Sequence, residues 1–534
     1  MDKFEIIYFS LSFLVFFVLQ KLLFALWWNP LRIQKQFHKQ GIRGPQYRPV
    51  IGSLKELAVI YRRAKEESPT PTPLPLPLPL QPQSCKENTK HNLVQHIFPH
   101  LPPWINKYGK NFLFWFGPLP RIVVTEPELI KKMFSDPKEF ILLVQHPALY
   151  QLIGKALPLA EGDAWATNRK LLSPFFNLES LKRTFLYPLL LLLYQETKTL
   201  RLFGASDFSI ENGLSHIVIE ATEKLVETWS DLAKSGEWEA DVYSEFEELV
   251  QNIAADVVFG RNAKEGKYIG HLQMKQENLI AGALRNVYIP GTRFLPTSFN
   301  LSSNWLRKEV DRLLMQLIKR RGTNRDTTES DLLGYLLSSS MPREQIKEEC
   351  RVFSVAAYET VSILLSWTFI MLGTFTEWQD KAREEVSEVL KGNNPSFETL
   401  SRLKIVNSRL YLRSDSNPRV KEDTKLANLT VPAGTGFIVP IIAIHHDKDL
   451  WGENADVFDP SRFSEGVAKA AKHPMAFMPF TVGPRICIGM NFVLMEAKII
   501  LAMLLQKFRF VVSPNYKHEP SYSVIMKPGK GAQI

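Results

Sequence analysis

Apolar residues run almost without interruption from Ile6 to Trp28, broken only by Ser10, Ser12, Gln20 and Lys21. At 1.5 Å per residue a helix over this stretch is roughly 35 Å long, enough to cross a hydrocarbon core of about 30 Å. Its start is acidic (Asp2 and Glu5 against Lys3) and its end is bulky (Leu26, Trp27, Trp28), with no small-residue cleavage pattern. The expectation is therefore a retained transmembrane anchor over residues 6–28, not a cleaved signal peptide. Paired tryptophans suit the membrane interface. From Asn29 to Leu54 the chain carries Arg32, Lys35, Lys39, Arg43 and Arg48 and no acid. Positive charge flanking an anchor faces the cytosol, which places everything downstream there too. Residues 29–54, with Gly41, Gly44, Pro45, Pro49 and Gly52, read as a basic, proline-containing hinge before one large domain over 55–534.

Beyond the hinge the pattern turns mostly helical. Asn111 to Thr125 reads as two short strands around Gly117-Pro118, and Thr125 as the cap of a helix with Leu129, Ile130, Met133 and Phe134 on one face. Helical periodicity continues to about Val389. Glu344 to Leu372 contains no proline and is apolar on nearly every side, as in a helix buried through the middle of a large protein. A second helix follows from Glu377 to Leu390, ended by Gly392. Strand-like residues return around Leu429 to Val439, with a turn at Pro432 and Gly434. The body is mainly α with a small β component. Two segments break the pattern. Pro69 to Gln83 holds seven prolines and reads as a surface polyproline II insertion at 69–83, or as a proline-rich ligand for an adaptor domain. Phe185 to Tyr194 is a leucine-rich run too short to span a bilayer.

Composition narrows the classes. The 534 residues are 45% hydrophobic, which excludes disorder as a description of the whole chain. The net charge of +10 would fit nucleic acid, but half of it lies beside the anchor, so nucleic acid is not indicated. Cys85, Cys350 and Cys487 are too few for a disulfide scaffold and fit a reducing compartment.

One of the three is set in an unusual context. Phe480-Thr481-Val482-Gly483-Pro484-Arg485-Ile486-Cys487-Ile488-Gly489 places a cysteine between glycines, just before an apolar helix. Glycines permit close backbone approach to a flat ligand, and a helix start supplies N–H groups that favour a thiolate. Arg485 adds positive charge near the sulfur and suits a ligand carboxylate.

The pattern F-x-x-G-x-R-x-C-x-G resembles the haem-binding loop of the cytochrome P450 family, and the chain is similar to that family over nearly its full length. The resemblance implies the cytochrome P450 fold behind a single N-terminal transmembrane helix, with Cys487 as the thiolate ligand of haem iron (heme b). Phe480, Gly483, Arg485 and Gly489 would line the haem. Ala356-Ala357-Tyr358-Glu359-Thr360 resembles the family's oxygen-binding segment: Thr360 and Glu359 would deliver protons, and Ala357 would border the haem where the family usually has glycine. Trp165 and Arg169, spaced as W-x-x-x-R, would contact a haem propionate, and Arg419 lies near another propionate arginine of the family. Phe458 to Phe463 resembles the P-x-R-F stretch and gives Arg462 a structural role. The implied reaction uses O2 and NADPH-derived electrons, through NADPH-cytochrome P450 reductase, to hydroxylate a lipophilic small molecule at the endoplasmic reticulum membrane. Trp27 to Pro45 and Val431 to Gly452 resemble plant enzymes of clan 72, whose relatives oxidise steroid and terpenoid hormones.

The sequence departs from the family in one respect that bears on activity. No Glu-x-x-Arg pair follows Lys404-Ile405-Val406, where Asn407 to Pro418 is short and holds only Arg409-Leu410-Tyr411 as a remnant. Removing one partner of a buried pair costs about 3–5 kcal/mol, here expected to fall on Arg462. The alternative expectation is thus a non-catalytic or unstable family member.

Overall fold

The computed structural model describes residues 3–67, 93–142, 147–177, 214–260, 264–284, 291–323, 331–403, 418–522 and 525–534. The proline-rich stretch at 69–83, the leucine run at 185–194, Cys85 and the segment 404–417 lie outside the described residues.

The apolar amino terminus forms α1 (Lys3–Leu23), which passes through one π turn (Phe24–Trp28) into α2 (Asn29–Lys39) without a break. From Tyr8 onward α1 buries no side chain, as a helix awaiting a lipid solvent would. The residues read as a hinge begin with helix. Pro30, Ile33, Gln34 and Phe37 make one buried face of α2, while Arg32, Lys35 and Lys39 occupy the exposed one. Tyr47 fixes the junction, its hydroxyl donating to the Leu26 carbonyl (2.6 Å) and its amide N–H to Gln34 Oε1 (2.8 Å). The anchor is therefore coupled to the body by packing as well as by chain.

A five-stranded sheet lies beneath α2. Its strands are β1 (Phe112–Phe116), β2 (Leu119–Val123), β3 (Phe140–Leu142), β4 (Pro418–Val420) and β7 (Gly436–Ile438), in the order β1-β2-β7-β4-β3. The turn at Gly117-Pro118 forms where the sequence places it, with Gly117 at φ 61°. Two hairpins stand apart: β5 (Thr424–Leu426) with β6 (Leu429–Val431), and β8 (Pro520–Tyr522) with β9 (Met526–Pro528). Alternation sorts the sheet residues: Leu113, Trp115, Ile122 and Phe437 pack with Ile33 and Phe37, whereas Phe112, Phe114 and Val123 pack with Leu101 and Trp104. The helix after β2, α3 (Pro127–Ser135), is capped by Glu126 and not by Thr125. Thr125 instead sends its hydroxyl back to the Lys110 carbonyl (3.2 Å), and Pro127 sets the first helical turn.

The helical part holds α4 (Gly162–Phe176), α5 (Leu214–Ala233), α6 (Val242–Phe259), α7 (Lys264–Leu284), α8 (Ser298–Thr323), α9 (Arg343–Thr374), α10 (Thr376–Leu390) and α11 (Met490–Lys507). The 32-residue α9 runs through the centre against α6, α7, α8, α10 and α11. It is long and apolar enough to cross a membrane, but 67% of its most apolar window is buried inside the protein, which identifies a core helix. Val361, Ile363, Leu364, Leu365, Phe369 and Ile370 are all buried, each contributing about 1.5–3 kcal/mol of transfer free energy. α10 ends at Leu390 as expected, with Lys391 (φ 50°) and Gly392 (φ 83°) both left-handed.

Candidate functional site

The loop before α11 is built by short backbone bonds that turn it twice. Ile486 N–H donates to the Gly483 carbonyl (3.0 Å) and Cys487 N–H to the Phe480 carbonyl (3.1 Å). Gly483 has φ +76°, and a Cβ there would sit 2.1 Å from the carbonyl oxygen of Phe134 on α3, so only glycine fits. Gly489 is the N-cap of α11 and faces open space instead. Cys487, at the end of this loop, is exposed, whereas Cys350 on α9 is fully buried. Burial pushes the Cys350 thiol well up, so it is inert as a nucleophile or ligand.

Two arginines link this loop and α4. Arg169 on α4 donates from Nη1 to the Ile486 carbonyl (2.8 Å), the residue next to Cys487. Burial pushes its guanidinium down, while the Cys487 sulfur acts in the opposite direction. Arg485 lies over the Trp165 ring at 4.7 Å and donates from Nη2 to the Ala160 carbonyl (3.0 Å). Its Nε is buried and has no partner among the described residues. Trp165 and Arg169 share one face of α4, as their spacing requires. Trp165, Ala357 and Phe480 all pack at the margin of the same core cluster, which ties the loop, α4 and α9 into one group.

Midway along, α9 changes character. Its flanks are buried, yet Ala356 is exposed and Ala357 and Thr360 are half-buried. Thr360 Oγ1 donates to the Ala356 carbonyl one turn earlier (2.8 Å). This small-residue strip is a gap in an otherwise filled helix surface. Glu359 points elsewhere, into a buried polar cluster with Glu277 of α7, to which it is hydrogen-bonded. Burial first, and then the neighbouring Glu277, hold the Glu359 carboxyl well above the usual range. Tyr358 Oη donates to Glu277 Oε2 (2.8 Å), and Lys527 Nζ stands 3.9 Å from Glu277 Oε1. Glu277 was not legible as part of this site, because helix packing alone brings α7 to α9.

A second buried acid orders the site from behind. Glu349 of α9 accepts from the Leu157 N–H (3.0 and 3.1 Å), from Asn168 Nδ2 (3.1 Å) and from Gln345 Nε2 (2.6 Å). Asn168 sits between Trp165 and Arg169, so this contact sets the rotation of α4 against α9. Burial pushes the Glu349 carboxyl up to about 7.

Arg462, expected to be left uncompensated, is not. It donates to the carbonyls of Asn454 (2.9 Å), Val457 (3.2 Å) and Asp459 (3.3 Å) and lies over Trp451. An unpartnered buried acid stands elsewhere: Glu496 of α11 is 1% exposed, and neither carboxyl oxygen has a hydrogen-bond partner among the described residues.

The donor set tests which prosthetic group the site suits. Among the described residues no three His, Cys, Asp or Glu side chains gather to cage a metal ion. Among the described residues, a single exposed thiol, a gap lined by small residues and a buried guanidinium nitrogen without a partner fit a flat, carboxylate-bearing macrocycle ligated by one sulfur. A model of the cytochrome P450 family matches residues 187–534. The chain belongs to the cytochrome P450 family. It is 35% identical to cytochrome P450 734A1 of Arabidopsis thaliana, covering 98% of this chain and 95% of that protein. It is also 35% identical to cytochrome P450 CYP72A616 of Paris polyphylla (95% and 94% covered). Identity to secologanin synthase 1 of Catharanthus roseus is 34% (95% and 93%). These relatives place it as a plant cytochrome P450 of clan 72, a family of monooxygenases that implies haem-thiolate chemistry. A cleft of about 1040 Å³ between Gln151, Asn300, Arg307 and Glu348 lies away from this group, and no residue of the Cys487 loop lines it.

Proposed function

We propose that this cytochrome P450 hydroxylates a lipophilic small molecule of the steroid or terpenoid hormone class. It does so from the endoplasmic reticulum membrane, anchored by its single N-terminal helix with the catalytic domain in the cytosol. Electrons come from NADPH through NADPH-cytochrome P450 reductase. The observation that carries this reading is the exposed Cys487 on a loop held to α4 by Arg169.

Cys487 is the iron ligand. When bound, haem supplies oxygen activation, since an anionic sulfur donates electron density to iron and favours O–O cleavage. The chain's own residues do the rest. Arg485, Trp165 and Arg169 hold the propionate side. Phe480, Gly483 and Gly489 shape the loop and leave room against the ring. Ala357 narrows the space above it. Thr360 presents its hydroxyl to that space, and Glu359, kept protonated by burial beside Glu277, is the proton donor behind it. The substrate class rests on the relatives, among them an enzyme named for secologanin synthesis.

One observation favours a second reading, a non-catalytic or unstable family member: Glu496 is buried without a partner among the described residues. A single spectrum separates the two. Reduced, carbon-monoxide-treated protein is expected to show the strongly red-shifted Soret band of thiolate-ligated haem, lost in Cys487→Ala and kept in Cys350→Ala. Absence of that band in the natural chain, with its appearance once a Glu-x-x-Arg segment is restored, selects the second reading.

A further inference from the structure

Glu359 and Glu277 belong to a larger set of titratable groups gathered from several elements. α6 and α7 pack against each other and both against α9, which also carries β9. α6 contributes Tyr243 and Glu247, α7 Glu277, α9 Tyr358 and Glu359, and β9 Lys527. Asp241, the N-cap of α6, also acts on Glu247. Among the described residues three carboxyls thus face one lysine.

The contacts run in a direction. Tyr243 and Glu247 are half-buried, one turn apart near the start of α6, and the phenol donates to Glu247 Oε1 (3.0 Å). Glu277 is buried and is approached from two sides. Tyr358 Oη donates to its Oε2 (2.8 Å), and Lys527 Nζ stands 3.9 Å from its Oε1. Glu359 is hydrogen-bonded to Glu277 and adjoins Thr360, at the half-open strip of α9. Glu277 is therefore an acceptor set between two other acids.

Those two acids hold their protons more tightly than usual. Burial is the largest cause for each, and Glu277 adds to it. Tyr243 and Lys527 pull Glu247 the other way, as Lys527 does Glu359. Burial also holds both phenols above their ordinary range, so they act as hydrogen-bond donors and keep their protons.

We propose that Glu247 and Glu277 form a proton route from the half-buried start of α6 to Glu359, with Glu277 as the acceptor that passes each proton on. It rests on the reading of Glu359 as the proton donor behind Thr360. Each step moves one proton and no electron. Glu359 yields its proton towards Thr360, Glu277 replaces it, and Glu247 refills Glu277 directly or through one water. Glu247 is refilled in turn from solvent. Glu277 and Glu247 are positioning residues that act through Glu359.

Rapid-mixing infrared spectroscopy of the full chain as expressed tests the route. On transfer to D2O the C=O band of the protonated Glu359 carboxyl shifts as its proton exchanges, and Glu359→Gln identifies that band by removing it. Glu277→Gln keeps the size and the bond from Tyr358 but cannot pass a proton, and is expected to slow the shift about tenfold. Glu247→Gln is expected to slow it less, and Glu277→Asp to stay within about twofold of the natural rate. Unchanged exchange in both glutamine variants overturns the proposal, because the proton then reaches Glu359 another way. So does equal slowing in Glu277→Gln and Glu277→Asp, which would mark Glu277 as a packing contact. The lack of any Glu359-dependent band at neutral pH would do the same. In haem-loaded protein with the reductase, substrate-free NADPH oxidation is expected to show a solvent deuterium isotope effect about twofold larger in Glu277→Gln than in the natural chain. Equal isotope effects overturn the link to catalysis. Failure of the haem reading is seen separately: the natural chain and Cys487→Ala would then give the same Soret spectrum, while the exchange rates still decide the route.

Discussion

A cysteine and a buried glutamate stand close in sequence on α9 and again at the start of α11, and the two regions treat them in opposite ways. On α9 the cysteine is sealed and the glutamate is answered: Cys350 is fully buried, while the adjacent Glu349 accepts from a backbone amide and two side-chain amides. At α11 the cysteine is open and the glutamate is not answered. Cys487 is exposed on the loop before the helix, and Glu496 within it has no partner among the described residues. Burial is the largest cause raising both carboxyls and the buried thiol. What separates a stabilising group from a costly one is whether packing also delivers donors.

The largest contrast is between the thiols. In the haem-free chain carrying Cys85→Ser, iodoacetamide is expected to label Cys487 more than about a thousandfold faster than Cys350. The Cys350 thiol reacts only through openings that cost several kcal/mol. Peptide mapping reads the ratio, and comparable rates would remove the contrast.

The next effect is a pH dependence. The folded Glu349 carboxyl titrates at about 7 against an ordinary 4.5. A raised folded value means the native state holds the proton more tightly, so this contribution is complete below about pH 4.5 and is lost as pH rises through about 7. The loss is on the order of 3 kcal/mol. Urea titrations of the natural chain and Glu349→Gln across this window are expected to converge at low pH and to separate as pH rises, with the glutamine variant flatter. Parallel curves would contradict the assignment.

Truncation is expected to cost somewhat less. Glu349→Ala leaves the Leu157 N–H and the Asn168 amide buried without an acceptor, a loss of about 2–3 kcal/mol. Because Asn168 neighbours Arg169, the thiolate Soret band is also expected to weaken in this variant and to stay in Glu349→Gln. The smallest effect has the opposite sign. Glu496→Met removes two unpartnered oxygens at nearly equal volume, and a gain of about 1–2 kcal/mol in urea is expected. A loss there would show that Glu496 has a partner outside the described residues.

The same contrast shows which parts of the site could be read in advance. Cys487 with Arg485, and Trp165 with Arg169, stand at short spacings that one loop and one helix turn suffice to place; packing of α4 on the loop then brings the two pairs together. Glu277 and Glu349 are isolated acids with no local pattern around them. Most of their partners come from other helices and loops, so no window of sequence contains the signal. The cost expected at Arg462 from the missing Glu-x-x-Arg pair is met locally instead: three backbone carbonyls near its own turn satisfy it.

The cap at Thr125 and the hinge at 29–54 mark the limits of local reading. Pro127 moves the helix start to Glu126, and the amphipathic spacing of Ile33 and Phe37 turns supposed linker into a packed helix. By itself the chain determined the anchor, the buried central helix, the strand pair at Gly117-Pro118 and the cysteine loop. All of these follow from periodicity or from residues adjacent in sequence. Only the tertiary structure decided which buried charges are answered, because hydrogen-bond partners are set by how whole helices and strands pack.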